Sequence, residues 1–247
     1  MFYDPVQYGV PGDTLSVSYV EMDPSAELAP FVHRFWELRT NAPLHEDFSF
    51  HLLPDASIHL AFNIRVGGAV GLSAVGTHAA LLPLGTEFHF VGIRLRPGVW
   101  QGGLREITRG VISRPYDGEL PLAETRSRLD DMDLSGAAPL LSDLVGNLLH
   151  DTLIAENPLT NAICAQVKDL HSVADMAKIV GLSARQLQRI LTQSTGFQPH
   201  DFLKILRLQY SFRDHYLTHY ADQPHFIRCF RSLTGYTPTR YRRVFGV

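Results

Sequence analysis

The stretch from Ser172 to Thr195, SVADMAKIVGLSARQLQRILTQST, restricts this chain more than any other segment. Val173, Met176, Ala177 and Val180 recur at helical spacing and give a first helix one apolar face. Gly181 follows, and a residue without Cβ takes a left-handed turn at little cost. Ser183, with Gln186 three residues on, is the capping-box signature of a second helix. That helix buries Leu187, Ile190 and Leu191, and small Ala177 suits a close crossing of the two. Two short helices joined in this way form the helix-turn-helix pattern, whose second helix lies in the major groove of double-stranded DNA. With Leu187, Ile190 and Leu191 inward, Ala184, Arg185, Gln188, Arg189 and Thr192 point outward. Arginine can bridge guanine O6 and N7, and glutamine can bridge adenine N6 and N7. An ordinary helical hairpin with a solvated face would read the same way, so the motif needs support.

An internal repeat supplies some. Thr195-Gly196-Phe197-Gln198-Pro199 with Phe202 matches Thr234-Gly235-Tyr236-Thr237-Pro238 with Tyr241, at an offset of 39 residues. The same offset carries Leu187 onto Phe226 and Leu191 onto Phe230. A recognition helix and its exit turn therefore occur twice, as expected of a duplicated supersecondary unit. Charge supplies more. Residues 159–247 hold 12 Lys and Arg against 5 Asp and Glu, a net of +7. Residues 1–158 hold 10 against 20, a net of −10, and together these give the chain's −3. A basic C-terminal third on an acidic front is the footprint of a phosphate-binding module.

The C-terminal segment, over roughly residues 160–245, resembles the DNA-binding domain of the AraC/XylS transcription regulators. The most specific piece runs from Tyr220-Ala221-Asp222-Gln223-Pro224-His225-Phe226-Ile227-Arg228 through Phe230-Arg231 and Gly235-Tyr236-Thr237-Pro238 to Tyr241-Arg242. The resemblance implies two helix-turn-helix units joined by a long helix and set in successive major grooves. Arg185, Gln188 and Arg189 are the expected base readers, beside Ala184. Ser183, Thr192, Gln193, Lys204, Arg207, Arg228, Arg231, Arg240, Arg242 and Arg243 are candidates for phosphate positioning. Asp222, Gln223 and His225 complete the candidate DNA-binding set from the second unit. The chain departs from the family between the units. Only ten residues, Tyr210 to His219, separate Gln209 from Tyr220, and His219 stands where a turn glycine belongs. A helix end, a turn and a new helix do not fit comfortably there. The first helix of the second unit is expected to be missing or fused with the linking helix.

The front half reads as β-rich. An extended lead-in with an edge strand at Leu15 to Val20 precedes a strand in Ala29 to Leu38. Phe48 to Leu53 and Ile58 to Ile64, separated by Pro54-Asp55-Ala56-Ser57, suggest a hairpin. Arg65 to Gly76 is loop-like with short β pieces, and Phe88 to Leu95 is the clearest strand. Val99 to Ile107 suggests a short helix, Gly110 to Pro121 an irregular segment, and Leu120 to Leu129 another helix. Pro139 to Ile154 carries a helical apolar stripe, the leading candidate for a homodimer contact. Glu156-Asn157-Pro158 breaks that helix and marks a boundary between residues 1–157 and 158–247. Pro30-Phe31-Val32 with Phe35-Trp36, Leu53-Pro54-Asp55, and Val91-Gly92-Ile93-Arg94 with Arg96-Pro97-Gly98 resemble the N-terminal domain of one AraC/XylS subset. That family usually has glycine where this chain has Ala56. The resemblance implies a cupin-like β domain that senses a small-molecule effector or mediates dimerisation. The expected class is thus α+β, with a β-rich barrel or sandwich and flanking helices in front and an all-α helix-turn-helix domain behind.

Other functions find less support. No run of 18 apolar residues suggests a membrane span, and the N-terminus does not read as a signal peptide. Cys164 and Cys229 lie far apart and fit a reducing cytoplasm, as small buried hydrophobes. Seven histidines in the front half (His33, His45, His51, His59, His78, His89 and His150) raise a metal-dependent cupin enzyme as an alternative, but no His-x-His pair occurs. His51 and His59 would be neighbours only across the expected hairpin. There is no Gly-x-Ser-x-Gly, Walker or zinc-protease motif, so no catalytic residue, metal or cofactor is expected. A further alternative is a relative whose shortened second unit serves protein interaction instead of DNA; the basic surplus argues against it.

Overall fold

A computed structural model describes residues 3–12, 14, 16–65, 68–74, 76–109, 116–213, 220 and 222–246. The chain is α+β, with a β-sheet region in front and a helical region behind.

Six strands form the large sheet: β1 (Val17–Met22), β2 (Val32–Thr40), β4 (Ile58–Asn63), β5 (Val70–Ala74), β7 (His89–Leu95) and β8 (Ile107–Arg109). Their order is β1-β2-β7-β4-β5-β8, antiparallel except for the parallel β5–β8 pair. β3 (Phe48–Leu52) and β6 (Ala80–Gly85) pair with each other in a separate small sheet. The central β4 and β7 alternate their side chains between two cores, as the two-residue period of a strand requires. Leu60, Phe62, Val91, Ile93 and Leu95 pack with Leu141, Leu144, Val145 and Leu148 of α2 (Leu134–His150). On the opposite face Leu38, Phe48, Phe50 and Phe88 pack between the two sheets with Trp36 and Phe90. Gly92 sits where Trp36 crosses β7; a Cβ there would lie 2.4 Å from the indole.

Several expectations are corrected here. Phe48 to Leu53 and Ile58 to Ile64 do not form a hairpin. The intervening Pro54 to Ser57 crosses from one sheet to the other, with Ala56 left-handed (φ 59°) and Asp55 Oδ1 accepting from the Ser57 N–H at 3.1 Å. Ala56 holds this left-handed conformation although it carries a Cβ. The Pro-Asp segment is a crossover and not a hairpin turn: β3 pairs with β6, and β4 with β5 and β7. The helix expected from Pro139 begins earlier, since Asp133 accepts from the Gly136 N–H at 2.9 Å and leaves Pro139 inside the helix. It ends at His150, and Ile154 instead bridges to Trp100. The apolar stripe of α2 faces its own sheet, so its buried residues are core, not a dimer contact. Val99 to Ile107 is helical only as a single tight turn, Leu104–Glu106. The helix expected at Leu120 to Leu129 is α1 (Leu122–Arg128). The edge strand is β1, and Leu15 lies outside the described residues, as do residues 110–115 of the expected irregular segment. Cys164 is buried in α3 (Pro158–Ala165), whereas Cys229 is half-buried. Among the described residues no helix is long and apolar enough to cross a membrane.

The helical region continues through α4 (Val173–Ile179), α5 (Ala184–Thr195), α6 (Pro199–Ser211), α7 (Gln223–Thr234) and α8 (Pro238–Phe245). The expected linking helix is α6. The segment in which the first helix of the second unit is expected to be missing or fused with the linking helix falls largely on residues 214–219 and 221, outside the described residues.

Candidate nucleic-acid interface

α4 and α5 form the expected pair. Ser172 caps α4 by accepting from the Asp175 N–H at 3.1 Å, and Gly181 turns the chain with φ 65°. Met176 and Ala177 bury against Leu187 and Leu191 of α5. Ser183 Oγ accepts from the Gln186 N–H at 3.3 Å, and Gln186 Oε1 accepts from the Ser183 N–H at 3.0 Å, completing the capping box. Ala184, Arg185, Gln188, Arg189 and Gln193 are exposed on the outer face, with Thr192 half-buried.

α7 repeats the length, N-terminal cap position and exit turn of α5 at the 39-residue offset. Asp222 takes the place of Ser183 and accepts from the His225 N–H at 2.7 Å. Both helices are 12 residues long. Thr195 Oγ1 donates to Leu191 O at 2.7 Å, and Thr234 Oγ1 donates to Phe230 O at 2.8 Å. Gly196 and Gly235 close the two helices at φ 75° and 80°, conformations that favour glycine. Pro199 and Pro238 then start α6 and α8. The outer face of α7 carries Gln223, Ile227, Arg228 and Arg231, all exposed.

The remaining candidates divide by what they touch. Lys204 pairs with Asp201 at 3.2 Å on the surface of α6. Arg207 is half-buried and turned away, donating to the carbonyls of Leu170 and His171, so it ties α6 to the entry of α4. Asp222 serves as a cap, and the His225 ring packs edge-on against Tyr220 at 5.6 Å. Arg240 lies over the Tyr236 ring at 5.2 Å, while Arg242 and Arg243 are exposed on α8. Gln188 Nε2 donates to Gln198 Oε1 at 2.9 Å. Among the described residues no carboxylate pairs with Arg185, Arg189, Arg228, Arg231, Arg242 or Arg243. Unneutralised guanidinium groups on two like helices are suited to phosphate and base edges.

Sequence reasoning missed how the helical region is held. Residues 3–12 run as a strap between the β-sheet and helical regions. Gln209 of α6 is buried; its Nε2 donates to Pro54 O at 2.8 Å, and its Oε1 accepts from the Val6 N–H at 2.8 Å. Gln7 makes the matching pair with Leu53, Nε2 to the carbonyl and Oε1 from the N–H, each at 2.8 Å. His51 Nε2–H donates to Thr234 O at 2.9 Å, and its ring stacks 5.1 Å from Phe245. Arg94, fully buried, donates to Pro5 O at 3.1 Å and Glu21 at 2.7 Å, and its Nε lies 3.2 Å from Asp55. Asp55 is held ionised, down to about 2: the nearby His59 and Arg94 outweigh the upward push of burial. His51 and His59 are therefore engaged with different partners, His51 with the helical region and His59 with Asp55 at 2.9 Å. Among the described residues no three His, Cys, Asp or Glu side chains converge as a metal site.

Between the two sheets lies an apolar cavity with about 680 Å³ of empty space including its mouth, walled by Tyr19, Trp36, Leu38, Phe50, Leu82 and Phe90. Gln7 and His59, which hold the strap and the crossover, reach its lining, and among the described residues the buried Trp36 Nε1–H has no acceptor.

A family model described as a domain of unknown function (DUF6597) matches residues 20–107, within the β-sheet region. No curated protein matches the chain. Among solved structures, ToxT from Vibrio cholerae O395 is similar at 11% identity, covering 94% of this chain and 99% of that one, with a TM-score of 0.43. An apo ToxT variant from Vibrio cholerae strain SCE256 is similar at 15% identity, covering 93% and 97%, with a TM-score of 0.40. ToxT from strain O395 bound to (E)-4-(8-methylnaphthalen-1-yl)but-3-enoic acid is similar at 10% identity, covering 92% and 98%, with a TM-score of 0.39.

Proposed function

We propose that this chain is a sequence-specific DNA-binding transcription regulator of the AraC/XylS type. One observation carries the reading: α5 and α7 are two equally long helices, each capped by a side chain at its N-terminus and closed by a left-handed glycine, that present Arg189 and Arg228 at equivalent exposed positions with no carboxylate partner among the described residues. A single surface arginine is ordinary. The same placement twice, in a region of net +7, fits two helices laid along one DNA face. Arg185, Gln188 and Arg189 read bases from α5. Arg228 and Arg231 work from α7, while Ser183, Gln193, Lys204, Arg242 and Arg243 lie toward the backbone phosphates. Asp222 and Arg207 support the helices from within.

In this reading residues 1–157 sense and residues 158–247 read DNA, with the strap of residues 3–12 joining them. The effector is a small, mostly apolar molecule held in the cavity between the sheets. Because Gln7 of the strap and His59, bonded to Asp55 of the crossover, both line the cavity, a bound molecule bears on the seat of α6 without contacting it.

A hydroxyl-radical footprint on the DNA upstream of the chain's own coding sequence tests the reading. Two protected tracts about one helical turn apart, roughly 10 base pairs centre to centre, are expected. A single tract would leave α5 alone as a reader, and none would reject the regulator.

A further inference from the structure

The 39-residue offset that makes α7 a copy of α5 also places different chemistry at equivalent positions. Arg189 corresponds to Arg228, and Thr192 to Arg231, so the charged edge is kept or strengthened. Arg185, however, corresponds to Pro224, and Gln188 corresponds to Ile227. The two side chains that could read bases by hydrogen bonds ahead of Arg189 have no polar counterpart on α7.

Ile227 is 36% exposed and one of four exposed large hydrophobic side chains among the described residues. The core does not use it fully. α7 is anchored by Phe226, Phe230, Leu233 and Thr234, all buried. Ile227 stands beside Arg228 and one helical turn from Arg231, on the face that its equivalent Gln188 occupies on α5. If α7 lies in the major groove as proposed, an apolar side chain beside these two arginines has one matching feature among the base edges there. That feature is the 5-methyl group of thymine.

From this we infer that Ile227 is a specificity-determining residue that reads a thymine methyl in the half-site of α7, while α5 reads its own half-site by hydrogen bonds. The two half-sites are then unlike in sequence although the two helices are copies. The inference rests on the DNA-binding reading above and adds to it the base that α7 selects.

The test uses the full-length chain. Binding sequences are selected from a random duplex library, and the half-site of α7 is located as the one whose preference relaxes in Arg228→Ala. Each thymine of the selected duplex is then replaced singly by uracil, which keeps every hydrogen-bonding group and lacks only the methyl. One replacement in that half-site should weaken wild-type binding about four-fold, equivalent to about 0.8 kcal/mol for one buried methyl. Ile227→Ala and Ile227→Gln should bind the thymine and uracil duplexes equally. Because Ile227 is exposed, neither change threatens the fold. Uracil duplexes that all bind like the thymine parent would overturn the inference. So would a methyl effect that persists in Ile227→Ala; Ile227 would then belong to a protein contact. Failure of the library to yield any preferred sequence overturns the DNA reading and this inference with it, whereas a preferred sequence without a methyl effect overturns only this one.

Discussion

Arg189 and Arg228 are each the sixth residue of a 12-residue helix, 39 positions apart, each exposed and each without a carboxylate partner among the described residues. If both contact base edges, Arg189→Ala and Arg228→Ala should each cost roughly 1–3 kcal/mol on the specific site and little on random DNA. Competition binding on both DNAs measures this. Equal losses on the two DNAs would assign the residue to phosphate contact.

The seat of α6 is open to a stability test. Gln209→Leu leaves the Val6 N–H and the Pro54 carbonyl without their partner in a buried setting. A loss of about 1–3 kcal/mol is expected from the urea midpoint. Faster proteolysis of residues 3–12 should accompany it. An unchanged midpoint and cleavage rate would mean that the strap does not hold the two regions together.

Ala56 holds φ 59° at the crossover between sheets. Glycine relieves the left-handed strain but adds chain entropy and removes a buried methyl, so Ala56→Gly should be tolerated within about 1 kcal/mol. Valine, branched at Cβ, should cost about 1–3 kcal/mol there. Thermal unfolding of the two variants gives the comparison, and equal effects would show that the turn conformation is not the constraint.

The buried histidines set an acid limit. His33 donates from Nε2 to Asp4 at 2.8 Å, and its Nδ1 accepts from Arg94 at 3.2 Å. Burial pushes its pKa down from 6.5 to about 4, against the pull of Asp4. Burial lowers His51 as well. The unfolded chain therefore takes up these protons before the native one does. Stability is full above about pH 6.5 and declines as the pH falls from there toward 4. Urea midpoints at pH 7.5, 6 and 5 follow the decline. His33→Gln, which keeps a donor for Asp4 and an acceptor for Arg94, should flatten it; an identical slope in the variant would place the titration elsewhere.

The helical half was legible because its signals are local. Ser183 with Gln186, Gly196, Gly235, Pro199 and Pro238 each act within one turn of the chain, and each does what its spacing implies. The pairing of β3 with β6 was not legible, because its ladder joins residues about 30 apart with no turn between them to fix it. The strap was hidden for the same reason. Gln7, Gln209 and Arg94 look like surface residues by type, and only long-range contacts make them buried. Ile227 was within reach of the sequence: applying the 39-residue offset to Gln188 points to it, and the exposure found in the fold gives that position its meaning.

The most direct measurement is fluorescence anisotropy of the purified chain on its own upstream DNA and on random DNA across a salt series. The account predicts tighter binding to the upstream DNA and a steep loss with salt on both, at about −0.9 in log–log slope per phosphate contacted. Absence of binding to either DNA at low salt would contradict it.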